Sequence, residues 1–94
     1  MPTIQQELED LMLNTLKFNA SDLHLSVGYK PILRIDGALT PLEEFSILTK
    51  EHSADLAFLL LGERKDAFLE RKEIDFSYNF KDKARFRVNV FFEK

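Results

Sequence analysis

The sequence predicts an α+β fold in which helices pack against an antiparallel sheet. Three observations predict it. Apolar residues recur at spacings of three and four near the N-terminus and again around residues 49–61. Three other segments, Asp22 to Val27, Glu73 to Phe80 and Ala84 to Phe92, alternate apolar and polar residues with period two. Residues suited to turns and caps (Asn19, Gly28, Pro31, Asp36-Gly37, Pro41 and Gly62) separate these segments. The chain of 94 residues, 45% hydrophobic with nine phenylalanines, suffices for one small self-supporting core and is unlike a disordered segment.

The first helix is expected from about Gln5 to Lys17. Ile4, Leu8, Leu11, Met12 and Leu16 form its apolar stripe, with Glu7, Glu9 and Asp10 early and Lys17 late, an order that complements the helix dipole. Asn19-Ala20-Ser21 then breaks the pattern. Asp22 to Val27 reads as a half-buried strand, with Leu23, Leu25 and Val27 on one face and Asp22, His24 and Ser26 on the other. Ile32 to Asp36 is a second strand. Asp36-Gly37 supplies a tight hairpin turn into Ala38-Leu39-Thr40, which Pro41 ends.

A second helix is expected from about Thr49 to Leu61, capped by Gly62 and apolar around much of its circumference. A shorter one is expected from Glu63 to Arg71. Two strands close the chain: Glu73 to Phe80, with Ile74, Phe76, Tyr78 and Phe80 on one face, and Ala84 to Phe92, with Phe86, Val88, Val90 and Phe92 on one face. Lys81-Asp82-Lys83 joins them.

Composition excludes several functions. Without cysteine there is no disulfide framework and no zinc-thiolate site, which fits a reducing compartment. No apolar run approaches the roughly 20 residues of a membrane span, and no basic-then-apolar leader opens the chain. The three glycines, Gly28, Gly37 and Gly62, lie too far apart to build a phosphate loop. His24 and His52 are the only histidines, and their spacing suggests no metal site. Ser21 and Ser26 flank Asp22 and His24, but neighbouring side chains on a strand point to opposite faces, so no hydrolytic triad forms there.

Charge is unevenly distributed. Residues 1–80 carry eight Lys/Arg against fourteen Asp/Glu, a balance of −6, whereas residues 81–94 carry five against two, a balance of +3. A basic strand therefore ends an acidic body, either as the place to meet an anionic partner or as a lysine-rich hairpin that discourages edge aggregation. Within it, alternation places Arg85, Arg87, Asn89 and Phe91 together, opposite Phe86, Val88 and Val90. Two guanidiniums about 7 Å apart on one strand face suit phosphate oxygens. They equally suit cross-strand pairing with Glu73, Asp75 or Asn79. An RNA-recognition strand fits poorly: Ala84 replaces the expected glycine, and Phe86 and Phe91 fall on opposite faces. No nucleic-acid partner is expected.

Three segments, Ala20-Ser21-Asp22-Leu23-His24-Leu25, Arg34-Ile35-Asp36-Gly37, and Asp75-Phe76-Ser77-Tyr78 with Ala84-Arg85-Phe86-Arg87-Val88-Asn89, stand in an order and spacing that carry a resemblance. Across nearly the whole chain the sequence resembles the N-terminal domain of the twitching-motility ATPases, the pilus-retraction branch of the type II/type IV secretion ATPase superfamily. Asn19 stands where a glycine is common in that family, and Tyr29-Lys30 precedes the turn proline.

The resemblance implies a PAS-like fold for residues 1–94 as a single N-terminal domain, and a RecA-like ATPase domain that these residues do not contain. It implies six subunits in a ring, with each N-terminal domain packed on its own and a neighbour's ATPase domain. Arginines would then reach the phosphates of ATP bound with magnesium, which the 94 residues do not bind as a cofactor of their own. That role maps to Arg87 first, Arg85 second and Arg34 third. Asp22, His24 and Asp36 map to structural or inter-subunit positions, Asp22 as a cap on the turn after Asn19 and Asp36 as a turn residue. Further implied are contacts with the pilus inner-membrane platform and a cytoplasmic location at the periphery of the bacterial inner membrane. The 94 residues alone are expected to hydrolyse nothing. The competing class is a stand-alone PAS-like sensory module with an apolar ligand pocket between the sheet and the second helix.

Overall fold

The computed structural model describes residues 3–62, 73–82 and 84–91. Their elements run α1 (Ile4–Lys17), β1 (Asp22–Ser26), β2 (Ile32–Ile35), β3 (Ala38–Pro41), α2 (Lys50–Leu61), β4 (Glu73–Phe80) and β5 (Ala84–Phe91). The short helix expected over Glu63 to Arg71 lies outside the described residues.

Local chemistry accounts for both helix boundaries of α1. Thr3 forms a capping box with Gln6: its hydroxyl accepts from the Gln6 amide, and the Gln6 side chain accepts from the Thr3 amide. At the other end the Asn19 amide donates to Leu16 O and the Ala20 amide to Thr15 O, each at 3.0 Å. This paired closure places Asn19 in the left-handed region at φ 53°. Thr49 caps α2, its hydroxyl accepting from the His52 amide. The two helices are joined by His52 Nε2 and Glu7 Oε2 at 2.8 Å.

The strands form one sheet in the order β3-β2-β1-β5-β4. Three of its four pairings are antiparallel. The central one departs from the expected antiparallel pattern, because β1 and β5 run parallel, with Asp22 opposite Arg87 and Leu25 opposite Val90. Antiparallel pairs are announced locally by a short turn, as at Asp36-Gly37. A parallel pair needs a long connection, here everything between residues 26 and 84, and leaves no local mark in the sequence.

At the β2–β3 turn Asp36 and Gly37 have φ of 51° and 83°, the double left-handed geometry of a type I′ hairpin. Pro41 is the last residue of β3 rather than the residue that stops it. The edge position tolerates its missing N–H.

One face of the sheet is covered. Leu23, Leu25, Leu33, Phe86, Val88 and Val90 form a single apolar cluster with Leu8, Leu11 and Met12 of α1 and Leu56, Ala57, Leu60 and Leu61 of α2. Leu42 and Leu48 close it from the segment before α2, held to the β1–β2 turn by Gly28 N to Leu48 O and Leu48 N to Tyr29 O. Thr15 is buried within this layer and donates to Leu11 O at 2.7 Å, so its hydroxyl is satisfied. Although α2 is apolar around most of its circumference, Leu59 is left exposed. Among the described residues no helix is long and apolar enough to cross a membrane.

Candidate functional site on the open sheet face

The opposite face of the sheet carries the side chains that alternation directs away from the core. Strand register sets them in rows. Leu39, Arg34, Asp22, Arg87 and Ser77 stand side by side across all five strands. The next row is Pro41, Ile32, His24, Asn89 and Asp75. Arg87 and Arg85 are both exposed.

Asp22 is the hinge of the first row. Its side chain is only 14% exposed and lies between two guanidiniums, with Arg34 Nε 3.6 Å from Oδ2 and Arg87 Nε 3.8 Å from Oδ1. The Ser21 hydroxyl donates to Oδ2 at 2.7 Å. These contacts replace the expected role of Asp22 as a cap on the turn after Asn19, whose amides are satisfied by carbonyls of α1. Arg34 is further fixed by donating from Nη1 to the Gly37 carbonyl at 3.2 Å. Asp36 itself serves the turn.

Arg87 also reaches diagonally across the β4–β5 hairpin, donating from Nη2 to Asp75 Oδ2. The hydrogen bond to Asp75, that carboxylate's charge and the more distant charge of Asp22 all raise the Arg87 pKa above its ordinary value. The guanidinium, a permanent cation like any arginine, is 65% exposed. Of the cross-strand partners the sequence offered, the structure realises Asp75. It adds Asp22, which sequence alone could not find because the contact depends on the parallel β1–β5 pairing.

Arg85 stands opposite Asn79 and makes no ion pair among the described residues. His24 is at the centre of the face, where its Nε2 is buried and has no hydrogen-bond partner among the described residues. No group of three or more metal-ligating side chains occurs among the described residues. Two clefts lie elsewhere. One of about 350 Å³ is lined by Glu7, Asp10 and Asn14 of α1 with Glu44, Phe45 and Ser46. The other, about 270 Å³, lies among Tyr29, Ile32, Pro41 and Ile47. Neither of these two clefts is lined by α2.

Comparison with known proteins gives this face a context. No family model matches the chain. The type IV pilus retraction ATPase PilT of Pseudomonas aeruginosa is 34% identical over 85 residues, 90% of this chain. The crystal structure of the pilus retraction motor PilT with bound ADP superimposes with a TM-score of 0.69 over 93% of the chain, again at 34% identity. The chain is a relative of the N-terminal domain of PilT-type ATPases. The type IV pilus ATPase PilU of the same organism is 22% identical over 94% of the chain. The chain spans about a quarter of the length of these relatives, 25% of PilT and 23% of PilU. The matched stretch takes in nearly all of this chain, including the strands that carry Asp22, Arg34 and Arg87.

Proposed function

We propose that the chain is the N-terminal regulatory and assembly domain of a hexameric type IV pilus retraction ATPase. In this reading the PAS-like domain packs on the RecA-like ATPase domains of its own and a neighbouring subunit. It presents Arg87, Arg85 and, more remotely, Arg34 toward ATP and magnesium held there. The ring would work in the cytoplasm against platform proteins of the inner membrane.

One observation carries it: an exposed pair of guanidiniums on the sheet face opposite the described helices, in a chain similar to a pilus retraction motor whose structure contains ADP. A guanidinium brought to the γ-phosphate neutralises charge that develops during phosphoryl transfer. Its arrival from a neighbouring subunit would couple domain rotation to hydrolysis. The test is Arg87→Ala in the full-length ring. Turnover of ATP should fall at least tenfold, on the conservative side of what loss of one such donor costs, while the ring still assembles. Normal turnover in a correctly assembled ring would remove Arg87 from the mechanism.

A further inference from the structure

Arg87 has two carboxylate partners, and they are not equivalent. Asp22 is largely covered and is tied down by Ser21 and Arg34 as well as by Arg87. Asp75 is on β4, at the edge of the sheet among the described residues, with a side chain 42% exposed. Its one hydrogen bond among the described residues is to Arg87. A guanidinium offers five donors in a planar fork, and the Asp75 contact takes one of them, on Nη2, while Asp22 lies nearest Nε. Arg85, two residues away on the same face, holds no carboxylate among the described residues.

We propose that Asp75 is a displaceable counter-ion for Arg87: a polyphosphate engages Arg87 by taking the place of the Asp75 carboxylate, while Asp22 remains as the fixed partner that keeps the side chain aimed. This rests on the reading of Arg87 as a phosphate contact and adds what regulates it. A single phosphate or carboxylate from solution gains little by the exchange, because it trades one anion for another. A triphosphate presented at the same time to Arg85 gains a second guanidinium and has the charge to win. The Asp75 contact thus sets a threshold, keeping Arg87 out of reach of stray anions until a polyphosphate is delivered to both arginines.

The experiment titrates magnesium-free inorganic tripolyphosphate into the chain and follows the arginine Nε–H resonances by NMR. Asp75→Asn should tighten binding at Arg87 about two- to fivefold, the scale of one exposed ion pair. Asp75→Glu, which keeps the charge, should restore the original affinity. Glu73→Gln removes an equal charge from the same face of β4 without touching Arg87, and should leave affinity unchanged. An equal gain from Glu73→Gln would make the effect one of net charge and overturn the proposal. Equal affinity in the parent and Asp75→Asn, with both losing it on Arg87→Ala, would also overturn it while leaving the phosphate role intact. Failure of Arg87 to respond in any variant would remove the phosphate role, and the counter-ion role with it. Amide spectra of each variant show whether the sheet is preserved.

Discussion

Asp22 and Arg87 are opposite one another across the parallel seam between β1 and β5, with the carboxylate Oδ1 3.8 Å from the guanidinium Nε. Among the described residues, the contact joins the first strand to the last. It also joins two segments of the sequence resemblance, the Ser-Asp-Leu-His stretch and the Arg-Phe-Arg-Val-Asn stretch, which have no local reason to be related. Backbone bonds reinforce the same junction: the Ser21 amide donates to Arg34 O, and the Arg87 amide donates to Ser21 O. The aim of Arg87 is therefore set by the closure of the sheet and not by its own strand alone.

Replacing Asp22 tests that junction. Asp22→Asn keeps the size and can still accept from Ser21, but withdraws the charge shared by Arg34 and Arg87. The midpoint of urea unfolding should fall while its denaturant slope stays the same, since the surface exposed on unfolding does not change. Arg34→Ala in the Asp22→Asn background should cost less than Arg34→Ala alone, because the pair is already broken. Additive effects would show that the contact contributes nothing to folding.

Asn19 carries a separate prediction. Its φ of 53° at the C-terminus of α1 is one that glycine adopts freely and asparagine tolerates. Asn19→Gly should leave stability within about 0.5 kcal/mol of the parent, the entropic cost of glycine offsetting the relief of strain. Asn19→Val should cost about 1–2 kcal/mol, because a β-branched residue resists the left-handed region. Thermal unfolding followed by circular dichroism reads both. Equal stability of the valine variant would mean the closure of α1 can be remade without a left-handed residue.

The two faces of the sheet should respond differently to truncation. Leu25 is fully buried opposite Val90 on the covered face, so Leu25→Ala should destabilise by about 2–5 kcal/mol. Leu39, 57% exposed on the open face, should cost no more than about 0.5 kcal/mol when changed to alanine. A large loss at Leu39 in the isolated chain would show that the open face is already covered there.

Period-two alternation is enough to find both faces in β1 and β5, because successive residues there differ in burial: Leu23 and Leu25 against Asp22 and His24, Phe86 and Val88 against Arg85 and Arg87. The hairpin turn was legible for the same local reason, since Asp36-Gly37 can take the two positive φ angles it needs. What could not be read was anything set by the pairing of distant strands. Asp75 was visible as a possible partner of the arginines through the short β4–β5 connection. Asp22 reads from sequence only as a structural or inter-subunit residue, such as a cap on the turn after Asn19, because its contact with Arg87 exists only through the parallel seam.

The last prediction concerns what the chain does alone. Hydrolysis of ATP requires groups that hold the β- and γ-phosphates and orient the attacking water. The three glycines lie at positions 28, 37 and 62, two of them in turns and the third at the end of α2, so none contributes to a loop whose amides could cradle phosphate. Arg85 and Arg87 supply positive charge but no base and no metal ligands. Residues 1–94 incubated with ATP and magnesium should therefore release phosphate at the background rate, unchanged by Arg87→Ala. Adding a separately produced PilT-type ATPase domain should give a rate that does depend on Arg87, if the open face meets the nucleotide across a subunit boundary. Hydrolysis by the 94 residues themselves, abolished by Arg87→Ala, would make this face a catalytic centre in its own right and refute the assignment of Arg87 as a contributor to another domain's site.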